Sequence, residues 1–94
     1  MDEDPKPLVE LSAFQRDLLK TIVETGGGVG LELHEIVDEY YDIKVTHGRL
    51  YPNLDELRDL GFIEKSKVDG RANRYEANEY GVKRYRSDAE WRSS

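Results

Sequence analysis

The apolar pattern of this chain changes its period at Gly61, and that change restricts the folds available to it. Before Gly61, apolar residues recur at spacings of three and four, which predicts helices. After Gly61, apolar and charged residues alternate, which predicts two strands, and Asp69-Gly70 between them is a strong hairpin-turn signal. Asn78 then caps a last helix that extends to about Trp91. The pattern therefore predicts helices, one hairpin and a final helix.

Two helices are predicted before residue 46. Ser12 and Gln15 form a capping box at the start of the first helix, and Gly26 ends it as a left-handed cap. Its apolar face consists of Phe14, Leu18, Leu19, Ile22 and Val23. A short extended piece near residues 29–31 leads to the second helix, at about residues 32–41. We expect its inward face to consist of Leu33, Ile36, Val37 and Tyr40.

The third predicted helix contains a proline. The segment THGRLYPNLDELRDLG, residues 46–61, has leucines at helical spacing, although Pro52 inside a helix normally costs about 3 kcal/mol. A helical wheel places Pro52 on the solvent face, where water or a ligand can satisfy the carbonyl of Gly48 that loses its hydrogen bond. The segment is therefore predicted to be a helix whose first turn is exposed.

That first turn carries residues suited to nucleic acid. Thr46 is a good N-cap, Gly48 has no side chain, and a helix start attracts phosphates through its free N–H groups. Arg49 suits a bidentate contact with guanine, or it is simply solvated. Asn53 either contacts adenine or a phosphate, or satisfies the carbonyl that Pro52 leaves free. His47 either contacts DNA or packs against the second helix.

The predicted hairpin concentrates positive charge. Residues 65–74 contain four cations, Lys65, Lys67, Arg71 and Arg74, against the single Asp69, a local balance of +3. A wing that reaches the minor groove or the flanking backbone uses such residues. The alternative is that lysines at a sheet edge prevent aggregation.

The whole chain, by contrast, is acidic. It has 14 basic and 20 acidic residues, a net charge of −6, and no cysteine. The acidity fits a halophilic protein or an ordinary acidic one, and the lack of cysteine fits a reducing cytoplasm. No apolar run approaches the roughly 20 residues that span a bilayer. His34-Glu35 resembles the start of a zinc-protease motif, but Asp38 replaces the second histidine. We therefore expect no metal, no cofactor and no enzymatic activity.

The last predicted helix has apolar residues on two sides. Val82, Tyr85 and Ala89 fall on one face, and Tyr80 and Trp91 near the opposite one. One side would pack on this domain and the other on a second copy. The alternative is that Trp91 is only an aromatic residue near a frayed helix end.

These elements define an α+β fold that is mainly α. Two helices joined by a tight turn and followed by a basic two-stranded β wing and a C-terminal helix describe a winged helix-turn-helix. We expect residues 1–10 to form a flexible N-terminal arm, residues 11–78 the winged helix-turn-helix, and residues 79–94 a helix for dimerisation.

The run THGRLYPNLDELRDLGFIEK, with FQRDLL before it and DGRANRYEANEYG after it, resembles the PadR family of winged-helix transcriptional regulators, in the short acidic form of haloarchaea. The similarity covers about residues 10–86, and Leu50-Tyr51-Pro52 is its most specific part. It implies that the chain is a homodimeric DNA-binding regulator, usually a repressor in this family. It also implies a recognition helix that carries the following residues: Thr46, His47, Gly48, Arg49 and Asn53.

The resemblance further implies that the hairpin is the wing and that dimers form through the C-terminal helical region. Some members bind small aromatic effectors near the dimer interface; Trp91 would suit such a ligand, but the sequence defines no pocket. The competing hypothesis is a winged helix that docks another transcription factor. Salt-dependent binding to duplex DNA distinguishes the two.

Overall fold

The computed structural model describes residues 8–70 and 72–93, and within them the secondary structure follows the predicted order. The elements are α1 (Ala13–Thr25), β1 (Gly28–Val29), α2 (Gly30–Tyr41), α3 (His47–Asp59), β2 (Ile63–Lys67), β3 (Asn73–Ala77) and α4 (Glu79–Ser93). The mainly helical winged helix-turn-helix, with its β hairpin and C-terminal helix, is confirmed.

Local signals set the ends of α1. The Ser12 hydroxyl accepts a hydrogen bond from the Gln15 N–H at 3.1 Å, and the Gln15 side chain accepts one from the Ser12 N–H at 3.1 Å. At the other end, Gly26 has φ 83° and donates its N–H to the Ile22 carbonyl at 3.1 Å. Both predicted caps of α1 are therefore present.

The hairpin belongs to a three-stranded antiparallel sheet of order β1-β3-β2. The extended piece predicted at residues 29–31 corresponds to β1 at Gly28–Val29, whereas residues 30–31 already belong to α2. Strand β1 pairs with β3 through Gly28 opposite Tyr75. Gly27 makes this pairing possible, because it has φ 99° and a Cβ there would lie 2.6 Å from the Tyr75 carbonyl oxygen. The run of three glycines thus ends α1 and also brings the chain against β3.

A single core lies between α1, α2, α3 and the sheet. Its fully buried members include Leu18, Leu19, Ile22, Leu33, Leu50, Leu54, Leu57, Phe62 and Tyr75. The predicted inward face of α2 is wrong at two positions, since Ile36 is 38% exposed and Tyr40 is 61% exposed. Tyr41 packs on the core instead, with its ring stacked 5.8 Å from that of Phe14. The buried face of α2 therefore keeps Leu33 and Val37 but shifts away from Ile36 and Tyr40 toward Tyr41.

The start of the described chain packs on α4. Leu8 is completely buried, and its N–H donates to the Asp88 carboxylate at 2.9 Å. The expectation that residues 1–10 form a flexible arm is therefore wrong for Leu8. Residues 1–7 lie outside the described part of the chain. Gly81 is buried where α4 crosses the chain at Phe62, and a Cβ at this position would overlap the Phe62 carbonyl oxygen. Helix α4 is thus an integral part of the domain.

Candidate nucleic-acid interface

The first turn of α3 is exposed. Thr46 caps it by accepting the Arg49 N–H at 3.2 Å, and Thr46, His47, Gly48 and Arg49 all face solvent. A Cβ added to Gly48 would have no atom of residues 8–70 and 72–93 within 4 Å. Packing inside the domain therefore does not explain a glycine here, although glycine weakens a helix.

Arg49 lies against α1. Its guanidinium carbon is 4.2 Å from the centre of the Phe14 ring, within the range of a cation–π contact. Within residues 8–70 and 72–93, the guanidinium forms no ion pair and donates no hydrogen bond. The stacking contact leaves the N–H edge of the group available to an external acceptor.

Asn53 is engaged inside the protein. Its Nδ2 donates to the Arg49 carbonyl at 2.7 Å, and its Oδ1 accepts from Gln15 Nε2 at 2.9 Å. The expected alternative, in which Asn53 satisfies the Gly48 carbonyl that Pro52 leaves free, is wrong, because the acceptor is the Arg49 carbonyl. The amide therefore has protein partners at both ends.

His47 faces α2 as well as solvent. Its ring lies edge-on to His34, with centroids 4.9 Å apart, and to Tyr51 at 5.5 Å. His34 in turn contacts the Val45 carbonyl oxygen at 2.5 Å through Nε2. These contacts correspond to the expected alternative in which His47 packs against the second helix, although the residue remains exposed.

The cations of the hairpin do not form one surface. Lys65 and Lys67 share a face of β2, as predicted. Lys65 is paired with Asp55 of α3 at 3.1 Å, whereas Lys67 is exposed and forms no ion pair with any other residue in the described ranges. Arg74 lies on the opposite face, where it pairs with Glu76 at 2.7 Å. Arg71 lies outside the described residues.

The hairpin and α3 border the same cleft. This cleft has a volume of about 380 Å³, and its walls include Tyr51 and Asp55 of α3, Lys65 and Tyr75 of the sheet, and Gly30 at the start of α2. The burial of Tyr75 raises the pKa of its hydroxyl, and the charge of Asp55 raises it further. Tyr51 and Asp55, in the middle of α3, thus lie beside the hairpin across this cleft.

The predicted dimerisation residues of α4 differ in exposure. Tyr85 packs on the core of its own domain and donates to Glu24 at 2.5 Å. Burial, followed by this hydrogen bond, raises the pKa of Tyr85. Val82 is half-buried, while Ala89 is exposed and Trp91 is 59% exposed. Only part of the expected apolar surface of α4 is therefore available to a second copy.

Comparisons with known proteins agree with this architecture. Residues 18–87 match the transcriptional regulator PadR-like family. The structure of RosR from Halobacterium salinarum grown from NaBr superposes with a TM-score of 0.84 and 40% identity, over 88% of this chain and 74% of that chain. The complex structure of hsRosR-S1 gives a TM-score of 0.86 and 39% identity, over 89% of this chain and 74% of that chain.

A curated relative, the transcriptional activator GvpE2 of Halobacterium salinarum, is 37% identical over 54 residues, which cover 57% of this chain and 28% of that protein. The match to GvpE2 thus spans about a quarter of its length. The chain belongs to the PadR-like family. It is a transcriptional regulator of the PadR and RosR type, and not an enzyme.

The described part of the chain has neither a metal site nor a membrane-spanning helix. No group of three or more His, Cys, Asp or Glu side chains is arranged to hold a metal ion in residues 8–70 and 72–93. None of the helices in those ranges is both long and apolar enough to cross a membrane.

Sequence reasoning did not find the partners of Arg49 and Asn53 on α1. Phe14 was assigned to the core face and Gln15 to the capping box, and both assignments hold. Each residue nevertheless makes a second contact, to α3, that its sequence pattern does not indicate. The Gln15–Asn53 bond joins positions 38 residues apart.

Proposed function

We propose that this chain is a sequence-specific regulator that binds double-stranded DNA as a homodimer in the cytoplasm. The carrying observation is the exposed start of α3, where Gly48 lacks an internal packing role and Arg49 keeps its N–H edge free. A helix start attracts a phosphate, a glycine lets the DNA backbone approach, and arginine suits guanine. Thr46 and His47 lie in the same turn and would contact the adjacent backbone.

In this proposal the hairpin acts mainly through Lys67. It is exposed and free of a carboxylate partner among the described residues. Lys65 and Arg74 would have to leave Asp55 and Glu76 to reach a phosphate, so we assign them smaller contributions. Arg71, which follows Gly70 in the sequence, would add a fourth contact to the flanking backbone.

We further propose that two copies associate through the exposed part of α4. Trp91 and Ala89, with the half-buried Val82, would form the contact, while Tyr85 supports the helix from inside. A two-fold dimer doubles the phosphate contacts and reads two half-sites. The incomplete burial of apolar residues on α4 supports this arrangement.

We propose repression as the direction of regulation, because the family to which the chain belongs acts usually in that way. One relative, GvpE2, carries the name of an activator. A reporter gene placed behind a promoter that contains the selected binding site decides the direction. Lower expression with the regulator present supports repression, and higher expression contradicts it.

The test of DNA binding is a selection from random duplex DNA in high potassium salt, followed by titration of the selected site at several salt concentrations. A DNA-binding protein gives a linear fall of log K with log salt, with a slope of about −0.9 per phosphate contacted. No enrichment of any sequence, together with no salt-dependent binding of mixed duplex DNA, would contradict the proposal.

The alternative function, a winged helix that docks another transcription protein, has one observation in its favour. Ile36 and Tyr40 of α2 and Ile43 just after that helix are exposed, and carboxylates, including Glu35 and Glu39, lie beside Ile43. Exposed apolar residues in a group often mark an interaction surface. The same DNA titration separates the two functions, because a docking module shows no enrichment of a duplex sequence.

A further inference from the structure

We infer that Gln15 and Asn53 are positioning residues for Arg49, so that the start of α1 sets the geometry with which α3 recognises DNA. The inference rests on the proposed DNA-binding function, and it assigns Asn53 a role other than contact with a base. Its basis is a continuous set of contacts from Ser12 to Arg49.

The first step is the buried amide of Gln15. Gln15 is only 6% exposed, and both the oxygen and the nitrogen of its side-chain amide form hydrogen bonds. Its oxygen accepts the Ser12 N–H, which fixes the orientation of the amide. Its nitrogen is thereby directed at Asn53 Oδ1, at 2.9 Å. The capping box of α1 thus determines that the nitrogen of the Gln15 amide, and not its oxygen, faces α3.

The second step is the amide of Asn53. Because its oxygen accepts from Gln15, its nitrogen is left to donate to the Arg49 carbonyl at 2.7 Å. Pro52 has no N–H and leaves the carbonyl of Gly48 without its helical bond, so the first turn of α3 has a weakened backbone. The bond from Asn53 restrains this turn directly after Gly48. A rotation of the amide toward a base would break both of its bonds.

The third step is the side chain of Arg49. Its guanidinium lies 4.2 Å from the centre of the Phe14 ring, and Phe14 directly precedes Gln15 in α1. Two successive residues of α1 therefore restrain Arg49, one at its side chain and one, through Asn53, at its backbone. Restraint before binding reduces the entropy lost when the guanidinium meets a base.

The test compares Asn53→Ala, Arg49→Ala and the double variant on the selected duplex and on duplexes with each base pair replaced in turn. Sequence discrimination is the ratio of the affinity for the selected duplex to the affinity for a duplex with one base pair replaced. We expect Asn53→Ala to lower discrimination by about three- to tenfold, the usual worth of one hydrogen bond. In the Arg49→Ala background the same change should have almost no effect, because Asn53 acts through Arg49.

A second variant, Gln15→Glu, isolates the contact between the helices. Glutamate still accepts the Ser12 N–H and keeps the capping box, but it cannot donate to Asn53. We expect a loss of discrimination about as large as that of Asn53→Ala, and no further loss when the two are combined. Arg86→Gln on the exposed side of α4 is the matched control, because it changes the net charge by the same amount.

Three outcomes overturn the inference. In the first, Asn53→Ala alters discrimination at a base pair that Arg49→Ala does not affect, which makes Asn53 a direct reader. In the second, discrimination is unchanged in Asn53→Ala or in Gln15→Glu. In the third, affinity falls equally for all duplexes in parallel with the melting temperature, which indicates loss of folding only.

A measurement without DNA keeps the inference separate from the proposed function. In the nuclear Overhauser spectrum, cross-peaks between the Arg49 side chain and the Phe14 ring should weaken in Asn53→Ala and in Gln15→Glu, but not in Arg86→Gln. If the wild type binds no duplex, the proposed function fails while this experiment still decides. Unchanged cross-peaks in both variants overturn the positioning role.

Discussion

The main-chain N–H of Leu8 donates a 2.9 Å hydrogen bond to the carboxylate of Asp88, which follows it by 80 positions in the chain. Asp88 is 6% exposed and also accepts from Arg92 Nε at 2.8 Å. Nearby, Arg84 binds the Glu10 carboxylate with both terminal nitrogens at 2.9 Å. These contacts fasten the segment before α1 to α4. The inward side of α4 is thus held by polar contacts as well as by packing.

The first prediction concerns this attachment. Asp88→Ala should lower the free energy of unfolding by about 1–3 kcal/mol, because the buried N–H of Leu8 loses its acceptor. Ser87→Ala is the matched control on the same helix, since the Ser87 hydroxyl donates to the Lys83 carbonyl one turn back and to no other group in the described part of the chain. Urea denaturation of both variants measures the difference. Equal stability of Asp88→Ala and the wild type would contradict the structural role of the bond.

The same carboxylate predicts a dependence of stability on pH. Burial alone would raise the pKa of Asp88, but the hydrogen bonds from Arg92 and from the Leu8 N–H outweigh it, so the pKa is lowered from 3.8. A lowered pKa means that the carboxylate stabilises the fold above the unfolded pKa and loses this effect as pH falls through the folded value. We expect the stability difference between wild type and Asp88→Ala to be constant above about pH 5 and to shrink below about pH 4. A difference that stays constant or grows toward low pH would contradict this assignment.

Helix ends and the hairpin were predictable because their signals are local. The Ser12 box, the Gly26 cap, the Thr46 cap and the Asn78 cap each depend on residues within four positions, and all are present. The inward face of α2 depends on how that helix rotates against α1 and α3. A smaller rotation that keeps Leu33 and Val37 buried exposes Tyr40 and turns Tyr41 toward the core, and local spacing does not determine it.

Pairing between elements was the part that sequence could not supply. Lys65 and Arg74 were correctly placed on the hairpin. The partner of Lys65, Asp55, is determined by how β2 lies on α3, whereas Arg74 pairs with Glu76 two residues further along the same strand. The antiparallel register puts Arg74 opposite Ser66 and thus on the other face from Lys65. A local charge balance counts these side chains together, whereas the sheet separates them.

We expect a substitution of Gly48 by alanine to have opposite effects on stability and on DNA binding. Gly48→Ala should raise the free energy of unfolding by up to about 1 kcal/mol, because alanine favours a helix and its Cβ meets open space here. The same methyl group should weaken duplex binding if the DNA backbone approaches at this point. A more stable variant with unchanged DNA affinity would remove Gly48 from the interface.

We expect a substitution of Lys67 to change the salt dependence of DNA binding. Lys67→Gln should weaken binding to all duplexes alike and reduce the salt slope by about two units for the dimer, as expected for one lost phosphate contact in each copy. Lys65→Gln should change the slope less, because Lys65 is already paired with Asp55 at 3.1 Å. Titrations at four or more salt concentrations give both slopes. An unaltered slope in Lys67→Gln would show that this side of the hairpin does not contact the phosphates.

We expect a substitution of Trp91 to change the oligomeric state. Deleting residues 79–94 is unsuitable as a test, because it also removes Gly81 and Asp88, which are buried inside the domain. Trp91→Glu changes an indole that is 59% exposed and leaves those contacts intact. An aromatic residue central to an interface contributes about 2 kcal/mol or more, so the dimer dissociation constant should rise about 30-fold. Light scattering across a concentration series measures this, with Ser93→Glu as the control for the added charge. A wild-type monomer, or a dimer that Trp91→Glu leaves unchanged, would place any interface elsewhere on the molecule.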